Sequence, residues 1–122
     1  MTEYVTTEDA LFFHQHLIER YGGASGIRDV GALESALHRP QTGYYETLIR
    51  EAASLCESLV QNHPFVDGNK RLAFAVVDVF LRINGHAIAA SSAGIYRQVM
   101  KLLKEGTFDM GHLTPWLMGI VD

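Results

Sequence analysis

The sequence predicts an all-α fold of about six helices, and three observations support this prediction. Apolar residues recur about every three or four positions in several stretches, which places them on one helical face. Glycine and proline separate those stretches, as residues that end helices do. No stretch alternates apolar and polar residues convincingly, apart from short runs at Tyr44-Tyr45 and from Gly85 to Ala89. A sheet is therefore not expected.

Three helices are predicted in the first half of the chain. The first begins at the cap signal Thr6-Thr7-Glu8-Asp9 and ends at Gly22-Gly23. Asp29 caps the second helix, Val30 to His38, and Pro40 marks its end. A loop or short extended flap is expected from Gln41 to Tyr45. The third helix, Glu46 to Gln61, carries a wide apolar stripe that predicts packing against a core.

Three more helices are predicted in the second half, and the first of them is central. The run from Leu72 to Ile83, within a helix predicted from Leu72 to Asn84, is apolar on every side except at Asp78 and Arg82. Those two residues are four apart and predict an ion pair along the helix. The remaining two helices are predicted from Ala93 to Lys104, capped by Ser91-Ser92, and from Asp109 or Thr114 to about Val121, with Pro115 in its first turn.

Composition narrows the class of protein. A chain of 122 residues with 48% hydrophobic residues is expected to form one domain, residues 1–122. The net charge of −4 argues against a basic nucleic-acid surface. Cys56 is the only cysteine and Met1 to Val5 lacks the features of a signal peptide, which favours a cytoplasmic protein. Charged residues interrupt the most apolar run, so no membrane span is expected.

One stretch, Asn62 to Arg71, combines a tight turn with residues suited to phosphate chemistry. Pro64 should end the third helix, and Gly68 relaxes the backbone just before the next helix begins. The result is a loop that leads into a helix N-terminus, where free N–H groups bind anions. His63 is suited to act as a general base near neutral pH. Asp67 offers the carboxylate oxygens that Mg²⁺ prefers.

The other residues of this stretch suit a phosphate site. Gly68 allows backbone N–H groups to approach a phosphate closely, and Asn69 can donate to a phosphate oxygen. Lys70 adds a point charge, while Arg71 can bind phosphate through two donors. Phe65, beside Pro64, is expected to be buried and to fix the loop's shape. For any single residue, a solvated helix–loop–helix turn is the simpler interpretation; for the set together, a catalytic loop is the better one.

The remaining histidines are interpreted as surface or capping residues, because none has a partner at metal-ligand spacing. They are His14, His16, His38, His86 and His112. Metal-dependent hydrolysis by His63 and Asp67 alone is a weak alternative, since two ligands specify little.

The segment from His63 to Arg71, HPFVDGNKR, resembles the signature of the Fic/Doc superfamily. Gly26 to Asp29 and Leu81 to Gly85 are similar to segments of its Doc (death-on-curing) branch. The resemblance implies that His63 is the base, that Asp67 holds Mg²⁺, and that Asn69, Lys70 and Arg71 bind the phosphates of ATP. Members of the Doc branch transfer the γ-phosphate of ATP to a threonine of elongation factor Tu, which stops translation.

Two positions favour the Doc branch over AMP-transferring Fic proteins. The latter usually have glycine at the position of Lys70 and a second arginine at that of Phe74, whereas the Doc branch has lysine and an apolar residue. Gly68 is closer to Fic proteins than to the alanine of Doc. A self-inhibiting motif of the form [S/T]xxxE[G/N] is not matched by Lys101 to Gly106. Control by a separate Phd-like antitoxin is therefore implied. Two alternatives to the kinase activity remain, namely AMP transfer to a target protein and a catalytically silent module that only binds an antitoxin.

Overall fold

The computed structural model describes residues 1–122 and consists of six α-helices joined by short loops. The all-α prediction is confirmed. The helices are α1 (Thr7–Tyr21), α2 (Val30–His38), α3 (Leu48–Gln61), α4 (Asn69–Ile83), α5 (Ser92–Lys104) and α6 (Met110–Ile120). A 3₁₀ helix, Arg39–Thr42, follows α2 directly. None of the helices has the length and hydropathy needed to cross a bilayer.

Side-chain caps explain where most helices begin. Thr6 and Asp9 form a reciprocal capping box at the start of α1, so that two free N–H groups are satisfied together. Asp29 caps α2 as predicted, by accepting from the Ala32 N–H. The prediction for α3 was early by two residues. Thr47, whose hydroxyl accepts from the Arg50 N–H, caps that helix and fixes its start at Leu48.

Two predictions about proline segments need correction. The predicted loop at Gln41 to Tyr45 begins inside the 3₁₀ helix, because a proline near the start of a helical turn has its φ angle already set. Pro40 is buried there, and Gly43, with a φ of 80°, ends the turn. Pro115 lies in the second turn of α6 and not in the first, because Asp109, not Thr114, is the residue that caps this helix.

The core is built around α3 and α4. Of the 23 residues in the continuous hydrophobic core, six lie on α4: Leu72, Ala73, Val76, Val77, Phe80 and Leu81. The opposite side of α4 is only partly covered, since Phe74, Ala75 and Asp78 are half-buried and Arg82 is exposed. The ion pair predicted on this helix is present, with Arg82 Nε 3.0 Å from Asp78 Oδ2. Near the end of the chain, Ile88 forms an isolated antiparallel bridge with Val121, which fastens the C-terminus to the segment after α4.

Candidate active site

The loop between α3 and α4 is held by a second segment that runs beside it. Phe65 and Ile27 form an antiparallel bridge, and the Val66 N–H donates to the Gly26 carbonyl at 3.1 Å. The N–H groups of Arg28 and Asp29 both donate to the Pro64 carbonyl, at 2.8 and 3.0 Å. These backbone hydrogen bonds hold the loop against residues 26–29 and restrict its conformation.

His63 is exposed and lies at the strained point of this loop. Its φ of 48° is the only positive value among the non-glycine residues, and histidine is one of the residues that tolerate this conformation best. Ring atom Nδ1 lies 3.0 Å from the Gln61 carbonyl oxygen. Because a carbonyl oxygen can only accept, Nδ1 carries the hydrogen, and in the neutral ring Nε2 keeps its lone pair. The geometry therefore leaves Nε2 of His63 able to take a proton.

Asp67 presents an ionised carboxylate to solvent. Its Oδ2 accepts from the Ala24 N–H at 3.1 Å and its Oδ1 from the Gly68 N–H at 2.8 Å. These two backbone hydrogen bonds, with a further contribution from the charge of Arg71, lower the pKa of the carboxyl. A Cβ added to Gly23 would lie 2.8 Å from Oδ2, so a residue larger than glycine there would displace the carboxylate.

The residues that follow Asp67 begin α4. Gly68 has a φ of 77°, and this left-handed bend turns the chain into a helix that starts at Asn69, three residues earlier than predicted. The Asn69 amide brackets the Phe65 backbone, with Oδ1 accepting from the N–H and Nδ2 donating to the carbonyl, each at 3.0 Å. In this arrangement Asn69 secures the loop, and one Nδ2 hydrogen remains free for a ligand.

Lys70 and Arg71 are exposed on the first turn of α4. The Arg71 guanidinium lies over the Tyr21 ring, 4.8 Å from its centroid, at the end of α1. Phe74, one turn further on, is half-buried and packs edge-to-face on Trp116 of α6, with the ring centroids 5.9 Å apart. The two positions that distinguish the branches thus lie in different surroundings, one in solvent and one against α6.

Beneath the loop, Phe65 and Pro64 are buried, as predicted for Phe65. The interpretation of His14 as a surface or capping histidine was wrong. His14 is 4% exposed, its ring stacks on Phe65, and its Nε2 lies 2.8 Å from the Asp67 carbonyl oxygen. The ring can be buried because its polar edge has a partner in the loop and its flat face has a partner in Phe65.

Cys56 is excluded as a nucleophile. It is completely buried in α3, and burial raises the pKa of its thiol far above the usual range, so no thiolate forms near neutral pH.

Four residues that shape the site have no signal in the HPFVDGNKR segment: His14, Tyr21, Ala24 and Arg28. All lie earlier in the chain and reach the loop only through the fold. The similarity of Gly26 to Asp29 to a Doc segment was the one signal that pointed to this region. No grouping of three or more histidine, cysteine or acidic side chains is close enough to hold a metal without another ligand.

Comparison with known proteins decides the family. The model described as "Fic/DOC family" matches residues 4–81, well over half of the chain and all of the loop. The chain belongs to the Fic/DOC family. It is 45% identical over 95 residues to a protein named Toxin Doc from Mycolicibacterium smegmatis, an alignment that covers 74% of this chain and 71% of the relative.

A second relative supports the same branch. The chain is 34% identical over 86 residues to a protein named Protein kinase doc from Escherichia phage P1, with 67% of this chain and 68% of the relative covered. Both names place the relatives in the Doc branch of the Fic/DOC family, which agrees with the branch that Lys70 and Phe74 predict.

Proposed function

We propose that this protein is the toxin of a toxin–antitoxin pair and a protein kinase that acts in the cytoplasm. It would transfer the γ-phosphate of ATP to a hydroxyl group of a translation factor similar to elongation factor Tu. The names of the two relatives support a toxin and a kinase. The observation that carries the proposal is that one exposed loop carries both His63, with Nε2 outside the ring's hydrogen bond to Gln61, and the ionised Asp67 carboxylate.

His63 would act as the general base. Its Nε2 accepts the proton of the substrate hydroxyl while that oxygen bonds to the γ-phosphorus. The bond between the γ-phosphorus and the oxygen that bridges it to the β-phosphate breaks, and ADP leaves. The hydrogen bond from Nδ1 to the Gln61 carbonyl fixes the tautomer and stabilises the imidazolium that forms.

The residues around Asp67 fit a magnesium ion. The carboxylate is exposed, its pKa is lowered, and a single carboxylate together with substrate phosphates is a common protein site for Mg²⁺. A bound Mg²⁺ would neutralise charge on the phosphates. The role of the Ala24 and Gly68 N–H groups is to hold the Asp67 carboxylate in one orientation before any ligand arrives.

The start of α4 would bind the phosphates. The bend at Gly68 leads into the N-terminus of α4, where the free N–H groups of the first turn and the helix dipole favour anions. Lys70 and Arg71 add two cations, and the Tyr21 ring limits the positions that the Arg71 guanidinium can take. Asn69 keeps the loop closed and can donate its remaining hydrogen.

AMP transfer is the alternative reaction, since the same loop could bind ATP with its α-phosphate at His63. Lys70 favours phosphoryl transfer, because its side chain would occupy space that glycine leaves open in AMP-transferring relatives. Parallel incubations of a translation factor with α-labelled and γ-labelled ATP distinguish the two. We expect label from γ-labelled ATP only; label from α-labelled ATP only would contradict the kinase assignment.

A catalytically silent, antitoxin-binding module is the second alternative. The intact set of His63, Asp67, Asn69 and Arg71 favours an enzyme. Transfer of neither label would support the silent module, provided that the protein still binds its antitoxin.

A Phd-like antitoxin is the proposed inhibitor. A cleft of about 360 Å³ lies beside the first two helices, lined by residues that include Val5, Glu34, Leu37 and Gln41. A mixed surface of this kind suits an amphipathic helix. Co-expression with a Phd-like antitoxin should give a complex with a raised Tm, because a ligand of the native state stabilises it. Absence of growth arrest when the toxin is produced alone would contradict this scheme.

We also propose that residues 1–122 fold as one domain. The continuous core of 23 residues spans the chain from Val5 to Leu117, which supports a single cooperative unit. Thermal and denaturant unfolding should each give one transition by both near-UV and far-UV circular dichroism.

A further inference from the structure

The buried histidine of α1 touches the loop at three points. The His14 ring is parallel to the Phe65 ring, with the centroids 3.7 Å apart and the planes inclined by 11°. Nε2 lies 2.8 Å from the Asp67 carbonyl oxygen. A Cβ placed on Gly68 would lie 3.7 Å from the same Nε2, so the ring edge also packs beneath the glycine bend.

The hydrogen bond defines the state of the ring. A backbone carbonyl has no hydrogen to give, so Nε2 of His14 carries the hydrogen and donates it to Asp67. This bond acts on the Asp67–Gly68 peptide, the unit that joins the candidate magnesium ligand to the helix N-terminus. Rotation of that peptide would turn both the Asp67 carboxylate and the Gly68 N–H, which are themselves bonded to each other at 2.8 Å.

We infer that His14 is a positioning residue whose Nε2–H fixes the Asp67–Gly68 peptide and thereby aims the carboxylate and the first N–H groups of α4. The inference rests on the proposed function of that loop. The Ala24 and Gly68 N–H groups bind the side chain of Asp67. His14, on α1, instead binds the backbone carbonyl of Asp67 through its Nε2–H. Packing alone would require only a flat apolar ring at this place.

Two substitutions separate donation from packing. His14→Phe keeps a ring that can stack on Phe65 and removes the donor. His14→Gln removes the ring and keeps an N–H₂ donor at a similar distance from the backbone. Both residues are compatible with a helix. His14→Leu replaces the phenylalanine variant if that variant does not fold, because leucine also lacks a donor.

The experiment has an activity arm and an arm independent of activity. In γ-phosphoryl transfer, we expect His14→Phe to lower kcat by about 10- to 100-fold and to raise the Mg²⁺ concentration at half-maximal rate, since partners that orient a ligand have effects of this size. His14→Gln should stay within about threefold of the unmutated protein, well below that range. In hydrogen exchange followed by NMR, the Gly68 amide of His14→Phe, which is bonded to the Asp67 carboxylate, should exchange about tenfold faster, while core amides of α3 are unchanged.

Each outcome decides the inference. Equal impairment of His14→Phe and His14→Gln, or normal exchange at Gly68 in His14→Phe, would overturn it and leave His14 as a packing residue. If the unmutated protein transfers no phosphate from ATP, the proposed function fails. The exchange arm then still decides whether His14 positions the Asp67–Gly68 peptide.

Discussion

Arg28 binds the backbone on both sides of the strained His63 residue, although the two are 35 positions apart in the chain. Its Nε donates to the His63 carbonyl and its Nη2 to the Asn62 carbonyl, the latter at 2.6 Å. A guanidinium presents its donors in a fixed planar fork, so the two carbonyls are held at a defined angle. Arg28 therefore maintains the positive φ at His63 from outside the loop.

Replacement of Arg28 tests whether its hydrogen bonds to the Asn62 and His63 carbonyls are needed for activity. Arg28→Ala should lower phosphoryl transfer by up to about 100-fold, because a small displacement of a reacting group has effects of this size. Arg28→Lys should recover only part of the rate, since lysine keeps the charge and lacks the planar fork. Initial rates at saturating Mg-ATP provide the measurement, with Arg97→Ala on α5 as a control for loss of a surface charge. Equal activity of Arg28→Ala and the control would contradict the claim that Arg28 maintains the active conformation of His63.

The sequence allowed the helices to be predicted well, because each is bounded by residues with local consequences. Asp29, Gly22 and the apolar stripe of α3 act within a few positions, so the pattern alone reveals them. The start of α4 was misplaced because it is not determined by local signals alone. The apolar run begins at Leu72, whereas the helix begins at the left-handed bend of Gly68, and that bend depends on contacts made by His14 and Asn69.

The loop residues of the site could be found from one segment, but their supports could not. His63 and Asp67 are close in sequence and their chemistry is visible in the motif. His14, Ala24 and Arg28 reach that loop across 34 to 53 positions. Nothing in the neighbouring sequence marks His14 or Ala24, and only the similarity of Gly26 to Asp29 to a Doc segment points to Arg28. A histidine is expected at the surface of a helix, and the burial of His14 becomes favourable only through two distant partners, the Phe65 ring and the Asp67 carbonyl.

Lys70 is predicted to determine which phosphate is transferred. Lys70→Gly should lower transfer from γ-labelled ATP and begin to permit transfer from α-labelled ATP. A charge-assisted contact contributes about 1.5–3 kcal/mol, which changes the preference between binding modes by roughly tenfold or more. Lys70→Ala is the matched control, because glycine alone weakens a helix by about 1 kcal/mol relative to alanine. Unchanged γ-transfer in both variants would exclude this role.

Phe74 is predicted to act mainly through packing. Because its ring meets Trp116 edge-to-face, Phe74→Arg should lower the free energy of unfolding by about 1–3 kcal/mol. Phe74→Leu should cost less, since it keeps an apolar group of similar size. Urea unfolding of both variants, read beside the α- and γ-label assays, separates stability from specificity. Efficient AMP transfer by a fully stable Phe74→Arg protein would show that this position reaches the nucleotide.

Asp109 is predicted to contribute to the loss of stability of the fold in acid. Its hydrogen bonds with the His112 side chain and backbone lower the pKa of its carboxyl below the ordinary value of about 3.9. The stability that it contributes is therefore fully present above that value and is lost as pH falls through the lower, folded-state pKa. Asp109→Asn keeps a capping oxygen but cannot titrate, so its Tm should fall less steeply between pH 4 and pH 2. Parallel Tm profiles would contradict this assignment.

The intact mass of purified elongation factor Tu after incubation with this protein and Mg-ATP tests the central claim most directly. The account predicts a gain of one phosphate with the unmutated chain. With His63→Ala, or with His63→Asn, which tolerates the left-handed backbone, the rate should fall by about 10²–10⁴-fold. His16→Ala, a change at an exposed histidine of α1, should leave the gain intact. A gain of one AMP, or a full phosphate gain with the His63 variants, would contradict the account.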